Sequence, residues 1–240
     1  MIHYHGTPCG GRREDVARFL AGRHAFIPFV RPEDIGTASE VCESFAFDNG
    51  AFSAWKQGIS IDFSAYLEWC SRWCRHPGFD FAIIPDVIEG TEDENDKLIG
   101  IWPSDIRGVP VWHLHESLDR LESLSYAWPT IALGSSGEWP DPGAEKWWER
   151  IGDAMAVVCD EQSRPRCRIH GLRMLDAAIF SRLPLASADS TNAVRNGVRK
   201  AEQCGCNTLT GMTIIADRIE AHQSESVWIP RNVQKCLALV

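Results

Sequence analysis

Acidic, imidazole and small residues recur at or near the ends of short apolar runs in this chain. His5 falls in IHYHGTP, Asp48 ends SFAFD, Asp86 ends FDFAIIPD, and His113 and His115 lie in VPVWHLH. Further along, Gly134 lies in TIALGS, His170 in CRIHG, and Asp189 ends PLASAD. Each alone has an ordinary explanation, since an Asp after an apolar run often makes an Asx-turn or caps a helix. Convergence of the whole set on one rim would instead build a reactive site, and two chemistries can use it. In one, His3, His5, His113, His115, His170 and Asp189 hold a metal ion that activates water; alternate residues of each H-x-H pair share one strand face. In the other, one carboxylate attacks a sugar's anomeric carbon to form a covalent intermediate, while a second moves protons. Asp48 (FAFDNGAF) and Asp189 (ASADSTN) fit that pair, because small neighbours let a substrate approach the backbone. Phe52 would then supply a flat apolar face. Asp86 would accept ring N–H bonds, and His113 with the Gly134–Ser135 backbone would offer donors to a planar heterocycle.

Such a set converges only if the runs are strands that end side by side. The runs Ile2–Pro8, Phe26–Val30, Ser44–Asp48, Phe79–Asp86, Val109–His115, Thr130–Ser135, Cys167–Gly171 and Pro184–Asp189 are too short for helices and are bounded by turn formers. Their near-continuous hydrophobicity suits parallel strands buried on both faces. Amphipathic stretches between them predict helices over Arg12–Gly22, from an Asp62 cap through Cys74, over Thr91–Trp102, Ser117–Tyr126 and Gly143–Val158, and a short one from Asp176. The link from Val30 to Ser44 is the weakest, and a loop is an alternative there. This alternation predicts an α/β fold, a single-domain (β/α)8 TIM-type barrel over residues 1–206, with 207–240 as a C-terminal closing segment. A doubly wound open sheet is the competing topology. No G-x-G-x-x-G or P-loop supports a nucleotide-binding version of it.

The composition agrees. A chain of 240 residues with 44% hydrophobic and 24% charged side chains can build one large core, which excludes a disordered tail, a collagen-like rod or a disulfide miniature. No apolar run approaches the roughly 18 residues of a membrane span, and the N-terminus lacks the form of a signal peptide, so a cytoplasmic protein is expected. Nine scattered cysteines read as reduced thiols. The net charge of −9 argues against a general polyanion-binding surface. Locally the balance reverses: Arg164 to Lys200 holds eight bases against two acids, which is either a solvated face or a phosphate-facing one.

Taken in order, DNGAF (48–52), the PD at 85–86, ALGSSGE (132–138), RIHGLRML (168–175) and SADSTNAVRNG (187–197) resemble the tRNA-guanine transglycosylase superfamily over roughly residues 2–200. With the HGTP start and VWHLHES, the pattern is most similar to the branch of DNA-guanine transglycosylases that insert 7-deazaguanine bases into DNA. The resemblance implies that Asp189 attacks C1′ of a deoxyguanosine and expels guanine. Asp48 would then act as general acid and base. It further implies that Phe52 and His170 sandwich the base, that Asp86, His113, Gly134 and Ser135 read its edges, and that Arg173, Arg195 and Arg199 meet nucleic-acid phosphates. DNA and a free 7-deazaguanine base are the expected partners, with no membrane partner and a homodimer left open. A base inside a duplex is unreachable, so flipping or a single strand would be required. Trp55, Trp112, Trp139 and the Trp147–Trp148 pair are candidates for stacking or wedge contacts beside ordinary core packing.

The resemblance has a gap. That family's zinc motif is incomplete: Cys204 and Cys206 are spaced correctly, but Leu209 stands where a third cysteine belongs, so the pair reads first as two ordinary buried thiols, with a structural zinc site completed by His222 or Cys236 as the alternative. No cofactor is required for the exchange itself. The metal-ligand alternative is similar to the amidohydrolase pattern. A third reading is a non-enzymatic nucleic-acid-binding barrel whose aspartates only cap helices.

Overall fold

The apolar runs form parallel strands in the computed structural model, which describes residues 1–9 and 12–230. They are β1 (Ile2–Gly6), β2 (His24–Pro28), β3 (Ser44–Asp48), β4 (Phe79–Ile83), β5 (Gly108–Val109), β6 (Val111–His113), β7 (Thr130–Gly134), β8 (Arg168–Gly171) and β9 (Ser187–Ser190). The ladder runs β5-β4-β3-β2-β1-β9-β8-β7-β6, every pair parallel. β5 and β6 are two halves of one run interrupted at Pro110, which has no N–H to give a ladder. The first half pairs with β4 and the second with β7, so the ring closes through the break. The Pro110 carbonyl still accepts from Ala132 N at 2.9 Å. The result is the expected (β/α)8-type barrel, and the open-sheet alternative is excluded.

Between the strands lie α1 (Arg13–Leu20), α2 (Ile35–Val41), α3 (Ala51–Gln57), α4 (Phe63–Trp73), α5 (Glu92–Gly100), α6 (Leu118–Ala127), α7 (Glu145–Val158) and α8 (Ala177–Phe180), followed by α9 (Asn192–Cys204) and α10 (Thr208–Glu220). Asp62 caps α4 by accepting from Ala65 N, and Thr91 opens α5 with a capping box to Glu94. The doubtful link after Val30 is helical: a 3-10 turn at Pro32–Asp34 leads into α2, which buries Ile35 and Ala38. The described part of the closing segment is α10, packed on α9 and α1 outside the wall, followed by an irregular stretch that buries Trp228 in the core. At the α9–α10 crossing the backbones nearly touch, since a Cβ on Gly211 would meet the Gly197 carbonyl oxygen at 2.2 Å. Residues 231–240, Cys236 among them, lie outside the described residues.

Alternation along the strands sorts side chains into two layers. Tyr4, Phe26, Ala46, Phe81, Ile83, Val109, Val111 and Ala132 fill the lumen. Their outward neighbours, such as Phe45, Phe47, Trp112, Ile131 and Ala188, pack under the helices in two larger clusters. The parity of Ala46, Val111, Ala132 and Ser187 therefore points Asp48, His113, Gly134 and Asp189 inward, at the C-terminal mouth of the barrel.

Candidate functional site

The rim is built strand by strand. β3 ends in Asp48, and the chain then turns through Asn49 and Gly50 into α3. Gly50 has φ +79°, a left-handed value that favours glycine, and its N–H donates to Asp48 Oδ1 at 3.2 Å. Asn49 accepts from Ala51 N at 2.8 Å to start α3, which places Phe52 half-buried at the mouth. The Asn49 amide also donates to Asp86 Oδ1 at 2.6 Å and to the Ile84 carbonyl at 2.9 Å. Asp86 Oδ2 lies 2.8 Å from His113 Nε2. In the neutral ring this makes Nε2 the donor, so the buried and otherwise unpartnered Nδ1 is an acceptor. Gly134 leaves room for that ring, because a Cβ there would come within 2.9 Å of Nδ1.

Asp189 completes the set from β9. Its Oδ1 accepts the backbone N–H of Arg173 at 2.9 Å, while no described protein group bonds Oδ2. Electrostatics tie the three carboxyls together. Burial pushes Asp48 up to about 7; the Gly50 N–H opposes this, and the like charges of Asp189 and Asp86 add to the rise. A carboxyl poised near neutrality, close to a second one with an open oxygen, can give and take a proton beside a nucleophile.

Arg173 spans the mouth. Its guanidinium carbon lies 4.0 Å from the Phe52 ring centroid, and Nη2 reaches the Ser135 carbonyl at 3.4 Å. Ser135 Oγ in turn accepts from Trp147 Nε1 at 2.9 Å. Asp48, Phe52, Asp86, His113, Gly134, Ser135, Arg173 and Asp189 thus share one rim.

Other expectations need correction. His170 has no exposed surface. It lies in the lumen among Tyr4, Phe26 and Phe81, with Nδ1 2.8 Å from Ser187 Oγ and Nε2 3.4 Å from Asp189 Oδ1. A ring enclosed on every side cannot stack on a base, so its place is beneath Asp189 rather than opposite Phe52. Trp112 and Trp147 are likewise wholly buried in the core, whereas Trp55 is exposed beside Phe52. Arg195 and Arg199 are exposed on α9 with no contact to the rim, and Arg199 borders a concavity of about 310 Å³ with Lys200, Gln203 and Arg218. A second concavity, of about 540 Å³, opens at the opposite end of the barrel around Arg166 and Arg168. The basic stretch that looks continuous in sequence is therefore dispersed over three faces.

The metal-ligand set does not assemble. His3 and His5 point outward: His3 Nε2 lies 3.0 Å from the His222 carbonyl, and His5 Nε2 lies 2.7 Å from Glu220 Oε1. The barrel wall separates them from His113, His170 and Asp189. Among the described residues no three of His, Cys, Asp or Glu gather as metal ligands. Cys204 and Cys206 flank the left-handed Gly205 at the end of α9 with no third ligand gathered among the described residues, Cys236 lying outside them, and the eight described cysteines are all unpaired.

Sequence reasoning passed over the groups that hold the rim in shape. Glu116 is buried and accepts from His113 N at 2.8 Å, Asn95 Nδ2 at 2.9 Å and Arg120 Nη1 at 2.7 Å. Arg120 also reaches Asp96, and Asn95 accepts from Val87 N, clamping the segment after Asp86. The i,i+4 spacing of Glu116 and Arg120 was the available signal.

No family model matches this chain, and no curated protein does. Solved structures do match. Two mutants of the tryptophan synthase alpha-subunit of the hyperthermophile Pyrococcus furiosus each align with a TM-score of 0.52 at 10% identity, one over 92% of this chain and 97% of its own, the other over 91% and 95%. The alpha-subunit in the tryptophan synthase a2b2 complex of the same organism aligns with a TM-score of 0.50 at 10% identity, over 92% and 96%. At that identity the likeness establishes the barrel fold and leaves the chemistry to the site itself.

Proposed function

We propose that this protein is a base-exchange transglycosylase that replaces guanine in DNA by a 7-deazaguanine through an aspartyl–deoxyribose intermediate. The open Oδ2 of Asp189 attacks C1′ as the bond to N9 breaks, and Asp48 in its protonated form gives a proton to the departing guanine. Asp48, now a carboxylate, takes the N9 proton of the incoming base; N9 then attacks C1′ and the Asp189 carboxylate leaves. Phe52 offers the stacking face. The Asp86–His113 pair, Gly134 and Ser135 line the edge.

The observation that carries this reading is Asp48, lifted to about 7 within the electrostatic reach of Asp189 at one barrel mouth. The order and type of the rim residues match the sequence pattern that suggested the chemistry. Incubation with guanine-containing single-stranded DNA, followed by denaturing electrophoresis, should reveal a covalent adduct that Asp189→Asn abolishes. Nucleoside mass spectrometry should then find the offered 7-deazaguanine in the DNA. An adduct that persists in Asp189→Asn would overturn the assignment, as would binding without turnover of any base analogue.

A further inference from the structure

The flat face at the mouth is already covered from within. The Arg173 guanidinium lies over Phe52 at 4.0 Å with an N–H on the Ser135 carbonyl at 3.4 Å. A guanidinium is planar and delocalised and presents its N–H donors in its own plane as a rigid fork. The N1–C2–N3 edge of guanine, with its exocyclic amine, is the same fragment inside a ring. Arg173 is held there from a left-handed backbone, φ +59°, uncommon for a residue with a side chain, by the bond from its N–H to Asp189 Oδ1. Burial also lowers the guanidinium's pKa, against the raising effects of Asp189 and Asp141, so the charged group is partly desolvated where it lies.

We infer that Arg173 is an internal stand-in for the ligand, and that a planar heterocycle with a guanidine-like donor edge binds by displacing its side chain from Phe52 and the Ser135 carbonyl. The inference rests on the base-exchange reading and adds to it a residue that sets the affinity of the slot. The backbone N–H stays on Asp189 while the side chain leaves, so opening the slot does not disarm the attacking carboxylate.

Arg173→Gly tests this with little backbone disturbance, because glycine accepts the positive φ and keeps the N–H. Arg173→Ala is the second variant. Methylguanidinium at about 20 mM, against methylammonium at equal ionic strength, should raise the melting temperature of either variant by about 2 °C through refilling of the slot. It should do nothing comparable to the native protein, or to the glycine variant once Phe52→Ala is added. Guanine should bind the glycine variant up to about tenfold tighter than the native protein, because the competing side chain is gone.

A methylguanidinium effect that is equal in native and variant proteins, or absent from both, overturns the inference. So does weaker guanine binding by the variant, which would make Arg173 a ligand contact. Selective rescue by methylguanidinium with tighter guanine binding by the glycine variant, but no exchange of guanine in DNA, upholds the stand-in and removes the base-exchange reading.

Discussion

The lumen of this barrel holds a polar cluster at each end, built from overlapping residue types set in different surroundings. At the N-terminal end Asp80 Oδ2 accepts from Tyr4 OH at 2.6 Å and from Ser44 Oγ, and His24 Nδ1 lies 2.8 Å from the same Ser44 hydroxyl. A register shift in β4 between its pairings to Phe45 and Phe47 accompanies this arrangement. Burial and the charge of Asp80 push the Tyr4 phenol far up, so it stays a neutral donor. At the mouth Asp48 and Asp189 each keep an oxygen that no described group bonds, and burial, with the like charges of Asp189 and Asp86 adding to it, lifts Asp48 to about 7. Residue type alone does not separate structure from chemistry here. Surroundings do: Asp80 stands among hydroxyl and imidazole partners that tie β1, β2, β3 and β4 together, whereas the mouth gathers Asp48, Asp86 and Asp189, whose mutual repulsion costs stability and holds reactivity.

Perturbing each end separately sharpens that contrast. The largest effect is expected from Asp189→Asn, which should lower base exchange by about 10⁴-fold or more, a barrier change of about 5.5 kcal/mol, in a single-turnover assay. Its melting temperature should move little; a collapse of the fold would place Asp189 with the structural cluster.

Asp48→Asn should change the pH dependence of stability. The folded pKa of Asp48 lies above its unfolded value, so the native state binds the extra proton between about pH 4 and 7, and stability falls as pH rises through that window. The native protein should lose up to about 4 kcal/mol from this group, and the asparagine variant should be spared that loss. Urea midpoints at pH 5 and pH 8 measure it, and identical slopes in the two proteins would refute the raised pKa.

Asp80→Ala should act in the opposite manner, destabilising by about 2–3 kcal/mol through the stranded Tyr4 and Ser44 hydroxyls. The chemical step should persist in the fraction that remains folded. Catalysis lost in proportion beyond the folded fraction would tie the two ends together. The smallest change is Gly134→Ala, whose new methyl meets His113 Nδ1 at 2.9 Å and Val111 Cγ1 at 3.2 Å. It should cost about 1–2 kcal/mol and raise KM more than it lowers kcat, because it moves an edge-reading ring rather than either carboxyl.

The strands were legible because a buried parallel barrel demands short, doubly apolar runs; the run Ser44–Asp48 coincides with β3 and Thr130–Ser135 with β7 to within a residue. The helices that escaped notice are those whose sequences argue against them. α9 carries Asn192, Asn196 and Gly197, poor helix formers, and is stabilised by close packing on α10 that only Gly197 and Gly211 allow. α3 is a short helix hidden behind the D-N-G turn that starts it. Of the site, the residues on inward parity were found, and the errors were errors of facing. His3 and His5 are spaced like ligands yet look outward, and His170 looks inward but too deep.

What the chain determines by itself is which residues end the strands and that the strands are parallel, because turn chemistry and hydrophobic run length are local properties. The tertiary structure decided the rest: that Pro110 splits one strand while the ring still closes, that Asp48 and Asp189 feel each other's charge, that Glu116 and Arg120 brace His113, and that Arg173 lies across Phe52. Those facts depend on dielectric, shear and side-chain direction, which arise only when segments far apart in sequence are brought within a few ångströms.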